Sequence, residues 1–211
     1  ERGYLPTDFV KSILKLYADK TTLKGVPGKE AEYLSSKEMV NACYGMMVTD
    51  ILQEENAYDK DMWLPSSLPE IEPALNTYNS SYGRFLYYPW GCWVTSASRY
   101  NLWTGIYELG EDYVYSDTDS IKAVNIDKHM DYINKYNEMV KRKLERACKV
   151  HGIPFEMTEP KTMNGDKKPL GVWDYDGHFD RFRTLGAKRY MVDIDGDINI
   201  TVSGLNKHTT V

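Results

Sequence analysis

Residues 114–121 read Val114-Tyr115-Ser116-Asp117-Thr118-Asp119-Ser120-Ile121. Two carboxylates stand one residue apart in a run that otherwise favours a strand. Alternate residues of a strand point to the same side, so two like charges would share one face unless a cation lies between them. A tight turn at Thr118 would instead aim both carboxylates at one ion. Either geometry predicts a Mg²⁺ or Mn²⁺ site, since hard cations take oxygen ligands, although an ordinary Asp-rich hairpin turn has the same pattern.

A second polar pattern lies upstream, where the apolar spacing predicts a helix over about residues 29–53. At about 100° per residue, Lys37, Asn41 and Tyr44 lie along one stripe of that helix. A lysine meets phosphate as a point charge, and an aromatic ring offers a flat surface to a sugar or base. The stripe therefore suits a nucleoside triphosphate, and it equally suits a solvated polar face with a packed tyrosine.

Hydrophobic spacing predicts the remaining elements. Helices are expected at residues 8–20, 91–109 and 127–151, the first with Thr7 as its N-cap. The stripe of the 91–109 helix that includes Trp93 and Tyr100 should pack beneath a sheet. Hairpins are expected at residues 113–124 and around Asp195-Gly196 at residues 189–202. Residues 54–82 show little periodicity and are interpreted as a long loop.

The two polar patterns, in this order, resemble motifs of the family B DNA polymerases. K-x-x-x-N-x-x-Y-G at residues 37–45 is similar to the fingers-helix motif, and Y-x-D-T-D-S at residues 115–120 is similar to the palm motif. Segments 19–22, 88–100, 170–173, 179–181 and 188–190 are similar to the protein-primed bacteriophage branch, so the resemblance spans about residues 20–206. Ala42 departs from the family pattern, which usually has serine there.

The resemblance implies an α+β fold with an antiparallel palm sheet packed on helices and a two-helix fingers hairpin, as part of the polymerase right-hand fold. Residues 1–52 would form the fingers hairpin, and residues 53–82 an insertion or long loop in the palm. Residues 83–206 would form the palm, with a catalytic hairpin and a primer-contact hairpin. The family's first palm motif, exonuclease domain and thumb have no counterpart in the sequence. We therefore expect an excised polymerase fragment that is inactive alone.

The implied reaction is template-directed transfer of a nucleotide from a deoxynucleoside triphosphate to a primer 3′-hydroxyl, with two Mg²⁺ or Mn²⁺ ions. The carboxylates that would be catalytic and bind metal are Asp117 and Asp119. The implied nucleotide-binding residues are Lys20, Lys37, Asn41 and Tyr44. The implied DNA-binding residues are Tyr115, Thr118, Lys188 and Tyr190.

By the same resemblance, the partners would be primer–template DNA, a deoxynucleoside triphosphate and a terminal protein that primes synthesis. The implied location is the cytoplasm of a bacterial host infected by the phage that encodes the chain. No apolar run is long enough for a membrane span, and the start of the sequence does not read as a signal peptide.

Composition and charge fit this interpretation. A length of 211 residues suits one or two domains. The net charge of −5 hides local basic runs, because residues 141–149 hold five basic residues and one acid. Such runs track phosphates, or form an ordinary solvated helix face. The acids that gather near the predicted metal site are Glu108, Glu111, Asp112, Asp117 and Asp119. The three cysteines predict buried free thiols in a reducing compartment.

Other functions share parts of the pattern. A phosphatase of the haloacid dehalogenase type carries D-x-D after an apolar strand, but its motif should lie near the start of the domain and precede a second acidic pattern. A nucleotide-sugar transferase also uses D-x-D to hold a metal, yet leaves residues 37–45 and 188–190 unexplained. A non-catalytic DNA-binding fragment is the alternative from a different class.

Overall fold

The computed structural model describes residues 4–54, 56–82, 84–85 and 87–204. Glu55, Gly83, Leu86 and the stretch 205–206, all within the predicted palm and its insertion, lie outside the described residues. Helix accounts for 51% and strand for 17% of the chain, and every strand pair among the described residues is antiparallel. The α+β class is therefore confirmed.

The chain divides into two compact units. The first comprises residues 1–97 and 143–170, and the second comprises residues 98–142 and 171–211. The predicted nucleotide-binding residues belong to the first unit, and the predicted carboxylates and DNA-binding residues belong to the second. None of the helices in the described part of the chain combines the length and apolar character needed to cross a membrane.

Two packed helices begin the first unit: α1, Thr7–Leu23, and α2, Glu30–Gly45. Thr7 is the first helical residue and not the N-cap, because Pro6 takes the N-cap position. The Thr7 hydroxyl lies 2.9 Å from His151 Nδ1 instead. The second helix ends well before the predicted residue 53, since the chain tightens into a 3₁₀ turn at Met46–Val48 and becomes extended at Thr49.

The core of the first unit forms where α1 meets the end of a later helix. Leu14, Cys148 and Ile153 are buried together there. Around them pack the half-buried apolar residues Val10, Phe155, Met157 and Leu170. Burial of this small cluster contributes apolar stabilisation to α1. The other cysteines depart from the prediction, because Cys43 is half-buried and Cys92 is exposed, although all three are free thiols.

The predicted loop at residues 54–82 contains regular structure. A short hairpin pairs β1, Tyr58–Asp59, with β2, Met62–Trp63, and helix α3 follows at Ile71–Ser80. Pro73 lies in the first turn of α3, where a proline costs no helical hydrogen bond. The fourth helix, α4, spans Tyr88–Leu109 and passes from the first unit into the second.

The second unit contains the two predicted hairpins. Strands β3, Tyr113–Asp117, and β4, Ser120–Ala123, form the first one. Strands β6, Arg189–Ile194, and β7, Asp197–Val202, form the second one around Asp195-Gly196, as predicted. An unpredicted strand, β5 at Arg181–Gly186, pairs with β6 and completes a three-stranded sheet.

The last long helix, α5, spans Met130–His151 after a 3₁₀ turn at Ile126–His129. Asn137 ties it to the chain at Trp173, with its amide donating to Trp173 O at 2.9 Å and its Oδ1 accepting from Trp173 N at 2.8 Å. The predicted packing of the α4 stripe beneath a sheet is wrong at Tyr100, which is 72% exposed in the second unit. Trp93 belongs to the first unit and is 78% exposed. The 3.6-residue spacing identifies a stripe on a helix but not the partner against which it packs.

Candidate functional site

The D-T-D stretch forms the tip of the β3–β4 hairpin. Asp117 pairs with Ser120, so Thr118 and Asp119 are the two turn residues. Thr118 has a φ of 55°, a left-handed conformation that is uncommon for a β-branched residue. Its hydroxyl donates to Asp117 Oδ1 at 2.9 Å, and Asp119 N donates to Asp117 O at 2.7 Å. The turn therefore has its own hydrogen bonds and leaves Asp119 exposed.

Lys188, in the turn between β5 and β6 of the separate three-stranded sheet, contacts this tip. Its Nζ lies 2.8 Å from Asp117 Oδ1 and 3.0 Å from Oδ2, so it contacts both carboxylate oxygens. Its backbone N–H donates to the hydroxyl of the buried Tyr115 at 2.9 Å. Lys188 also has a φ of 55°. The palm-like motif and the K-x-Y element, 71 residues apart at this contact, thus meet within one unit.

The charges at this contact shift each other's titration. The Lys188 ammonium, and secondly the Thr118 hydroxyl, lower the pKa of Asp117 below its usual value. The Asp117 carboxylate in turn raises the pKa of Lys188. Both groups are therefore held in their charged forms near neutral pH.

The tip supplies an incomplete donor set for metal ions. No group of three potential metal-ligating side chains occurs among the described residues. Both Asp117 oxygens contact Lys188, so metal ligation by Asp117 would require the ammonium to move away. Asp119 alone would fit one Mg²⁺ that also takes triphosphate oxygens, since such ions are commonly held by one or two carboxylates plus substrate phosphates. A second ion does not fit the described residues without a further carboxylate.

Asp112, one of the acids near the predicted metal site, has a different role. It lies at the other end of β3 from the turn. Its carboxylate accepts from Asn125 Nδ2 at 2.8 Å and lies 2.9 Å from His129 Nε2. These partners, Asn125 first, lower the pKa of Asp112. Asp112 thus anchors the segment that leads into α5.

In the first unit, the predicted nucleotide-binding stripe lies on α2 with all three side chains exposed. Lys37 and Asn41 make no side-chain hydrogen bond to any residue that the structure describes. The Tyr44 hydroxyl lies 2.9 Å from Thr95 Oγ1, and since Thr95 donates to Gly91 O at 2.8 Å, Tyr44 is the donor. The fingers-like motif therefore contacts the segment at residues 88–100.

Lys20, the other predicted nucleotide-binding residue, lies near the end of α1. Its Nζ is 5.9 Å from the centre of the Tyr17 ring. The nucleotide-binding residues of this unit thus come from two packed helices, α1 and α2. Tyr44 is the one of them held by a described hydrogen bond to another element.

In the second unit, Tyr190 packs against Tyr115 with ring centres 5.4 Å apart. The prediction missed the residues that surround this pair. Phe182 lies 5.4 Å from Tyr115 and 5.5 Å from Tyr190, and Lys122 points its ammonium among the rings. No local sequence signal marks Lys122, since a lysine in a four-residue strand is unremarkable.

The lowered pKa of Asp117 predicts an acid-dependent loss of stability. An aspartate whose pKa is lower in the folded chain than in the unfolded chain stabilises the fold above the unfolded pKa, 3.8, and loses that contribution as the pH falls through the folded pKa. Asp117→Asn should therefore lower the urea midpoint at about pH 6, and the difference from wild type should shrink towards about pH 3. A difference that grows on acidification contradicts this. Asp127→Asn, at an exposed aspartate, is the control.

Comparison with known proteins identifies no relative: no family model, no curated protein and no solved structure matches the chain.

Proposed function

We propose that the chain is part of a DNA-directed DNA polymerase of family B, of the protein-primed bacteriophage type, that transfers a nucleotide from a deoxynucleoside triphosphate to a primer 3′-hydroxyl. The contact of Lys188 with Asp117 carries the proposal. The two residues belong to separately recognised motifs, and a chance resemblance gives no reason for those motifs to meet in the fold.

The second unit supports a role at a primer terminus. Its tip presents the exposed carboxylate of Asp119 two residues after Asp117, which pairs with the Lys188 ammonium, and the rings of Tyr115 and Tyr190 pack against each other. Lysine offers a charge to a phosphate, and hydroxyl-bearing rings offer hydrogen bonds and flat surfaces to a sugar or base. In the proposed complex Lys188 and Tyr190 contact the primer strand, while Tyr115 and Thr118 flank its end.

The first unit supports nucleotide binding. Lys37 and Asn41 are exposed on α2, with Tyr44 next along the stripe and held by Thr95. In the proposed complex Lys37, together with Lys20, neutralises the triphosphate, and Tyr44 presents its ring to the nucleotide. A fixed ring loses less conformational freedom on binding than a mobile one.

A metal ion bound with the nucleotide would supply charge neutralisation at the phosphates. Asp119 is the side chain that would hold it, with Asp117 joining only if Lys188 moves away. Because the described donor set does not complete a two-ion site, the chain alone should bind nucleotide and DNA without polymerising. Metal-dependent nucleotide incorporation by the purified chain would contradict that expectation.

Binding of a labelled deoxynucleoside triphosphate in the presence of Mn²⁺ tests the proposal. Lys37→Ala should weaken binding by about tenfold, as expected for loss of one charge-assisted contact. Asp119→Asn should remove the part of the binding that depends on Mn²⁺. Lys24→Ala and Asp127→Asn, at exposed positions outside the proposed site, are the matched controls.

The outcomes separate the alternatives. Equal binding by the wild type and both site variants, with the fold intact by circular dichroism, would refute the proposed nucleotide site. Hydrolysis of a phosphate monoester by the chain, lost in Asp119→Asn, would favour the phosphatase interpretation. Binding of primer–template DNA without any nucleotide binding would favour the non-catalytic DNA-binding fragment.

A further inference from the structure

Lys122 of β4 has an unusual environment within the second unit. Its Nζ lies 5.1 Å from the ring centre of Tyr190, 5.6 Å from Tyr115, 5.8 Å from Phe179 and 6.0 Å from Phe182. The side chain is half-buried, and it forms no salt bridge with any described residue. The Lys122 ammonium lies within cation–π distance of all four rings, and its charge also attracts the nearby Asp117 carboxylate.

The rings come from different segments of the unit. Tyr115 is the direct cross-strand neighbour of Lys122 in the β3–β4 hairpin. Phe182 and Tyr190 belong to β5 and β6 of the three-stranded sheet, and Phe179 precedes that sheet. The Lys122 ammonium thus bridges the hairpin that carries the D-T-D tip and the sheet that carries Lys188.

Two of these rings are close in sequence to residues of the candidate site. Tyr115 precedes Asp117 by two residues, and its hydroxyl accepts the backbone N–H of Lys188 at 2.9 Å. Tyr190 follows Lys188 by two residues on β6. A shift of either ring would therefore displace the backbone that aims the Lys188 side chain. Lys188 lies in the β5–β6 turn with a φ of 55°, a conformation that is uncommon for residues other than glycine.

We propose that Lys122 is a positioning residue: its ammonium, held among Tyr115, Phe179, Phe182 and Tyr190, fixes the D-T-D hairpin against the sheet and so places Lys188 for contact with the primer strand. The assignment of a primer strand rests on the proposed function. The placement of Lys188 by Lys122 does not.

Primer–template DNA affinity measured over a range of salt concentrations tests the role. Lys122→Met keeps the length of the side chain and removes its charge, and it should weaken binding by about tenfold. The slope of affinity against salt should fall equally in Lys122→Met and Lys188→Met, and no further in the double variant, because the phosphate contact that is lost is that of Lys188. Lys122→Arg should restore affinity, since it keeps the cation. Lys135→Met, at an exposed position on α5, removes the same charge as a control.

A second measurement decides the role without DNA. The backbone amide resonance of Lys188 reports its hydrogen bond to Tyr115, so Lys122→Met should shift that resonance in the NMR spectrum and Lys122→Arg should return it towards the wild-type position. Lys135→Met should leave it unchanged. If Lys122→Met does not fold, Lys122→Gln takes its place.

Two results would overturn the inference. A salt slope that falls further in the Lys122→Met, Lys188→Met double variant than in Lys188→Met alone would make Lys122 a direct phosphate contact. An unmoved Lys188 amide in a folded Lys122→Met protein would show that Lys122 does not position it. If the wild-type chain bound no primer–template DNA, the proposed function would fail, and the amide resonance would still decide whether Lys122 places Lys188.

Discussion

Leu14→Ala is expected to lower the free energy of unfolding of the first unit by about 2–4 kcal/mol. Leu14 is only 4% exposed, and it contacts the core of that unit between Cys148 and Ile153. Truncation removes buried apolar surface and leaves a cavity whose walls come from separate elements, so they cannot all move in to fill it. Urea unfolding followed by circular dichroism measures the change.

The matched control is Leu34→Ala on α2, where the leucine is 50% exposed. Both substitutions replace leucine by alanine in a helix, so helix propensity changes little in either. The exposed site should change stability by no more than about 0.5 kcal/mol. Equal effects at the two positions would mean that the cluster around Leu14 is not the core that holds α1.

The elements with short-range signals could be predicted from the sequence. The hairpin around Asp195-Gly196 follows from alternating residues on either side of a dipeptide that accepts positive φ, and both turn residues have it. The hairpin at residues 113–124 follows from the same kind of alternation. Helices α4 and α5 were identified by spacing, although their first residues were misplaced, by three residues in each case.

Elements whose signal depends on tertiary context were missed. Helix α3 carries Pro73, which suggests a loop unless the proline is recognised as a first-turn residue. Strand β5 is an edge strand, largely exposed, and lacks the alternation that marked its neighbour β6. Thr7 had the side chain of an N-cap, but its hydroxyl bonds to His151, a partner 144 residues away that no local pattern reveals.

The candidate site likewise has features that the sequence predicts and features that depend on tertiary structure. The residue types at Asp117, Asp119 and Lys188 were available from motifs, since those motifs are local. Their geometry was not, because the ion pair of Lys188 with Asp117 arises from the docking of a hairpin on a sheet. The role of Lys122 could not be predicted from the sequence for the same reason, because its four ring contacts come from three separate segments.

Gly91 in the first turn of α4 packs closely against the side chain of Val48. A Cβ added there would clash with Val48 Cγ1. Valine is stiff at χ1, so this methyl group cannot swing away without cost. The carbonyl of Gly91 also accepts the Thr95 hydroxyl, which in turn accepts the Tyr44 hydroxyl. Gly91 therefore links helix packing to the placement of the proposed nucleotide-binding ring.

Gly91→Ala should accordingly destabilise the first unit by about 1–2 kcal/mol, because an overpacking cost of about 1–3 kcal/mol exceeds the gain of up to about 1 kcal/mol from helix propensity. Adding Val48→Ala removes the clashing methyl group and should recover most of that loss. Gly45→Ala is the control: it has open space around its Cβ, lies at the end of α2, and should be neutral or slightly stabilising. Urea unfolding of all four variants, including Val48→Ala alone, gives the coupling between the two positions. If Gly91→Ala proved as harmless as Gly45→Ala, the close approach of α4 to the 46–48 turn would not hold in solution, and the support that Thr95 gives to Tyr44 would lose its structural basis.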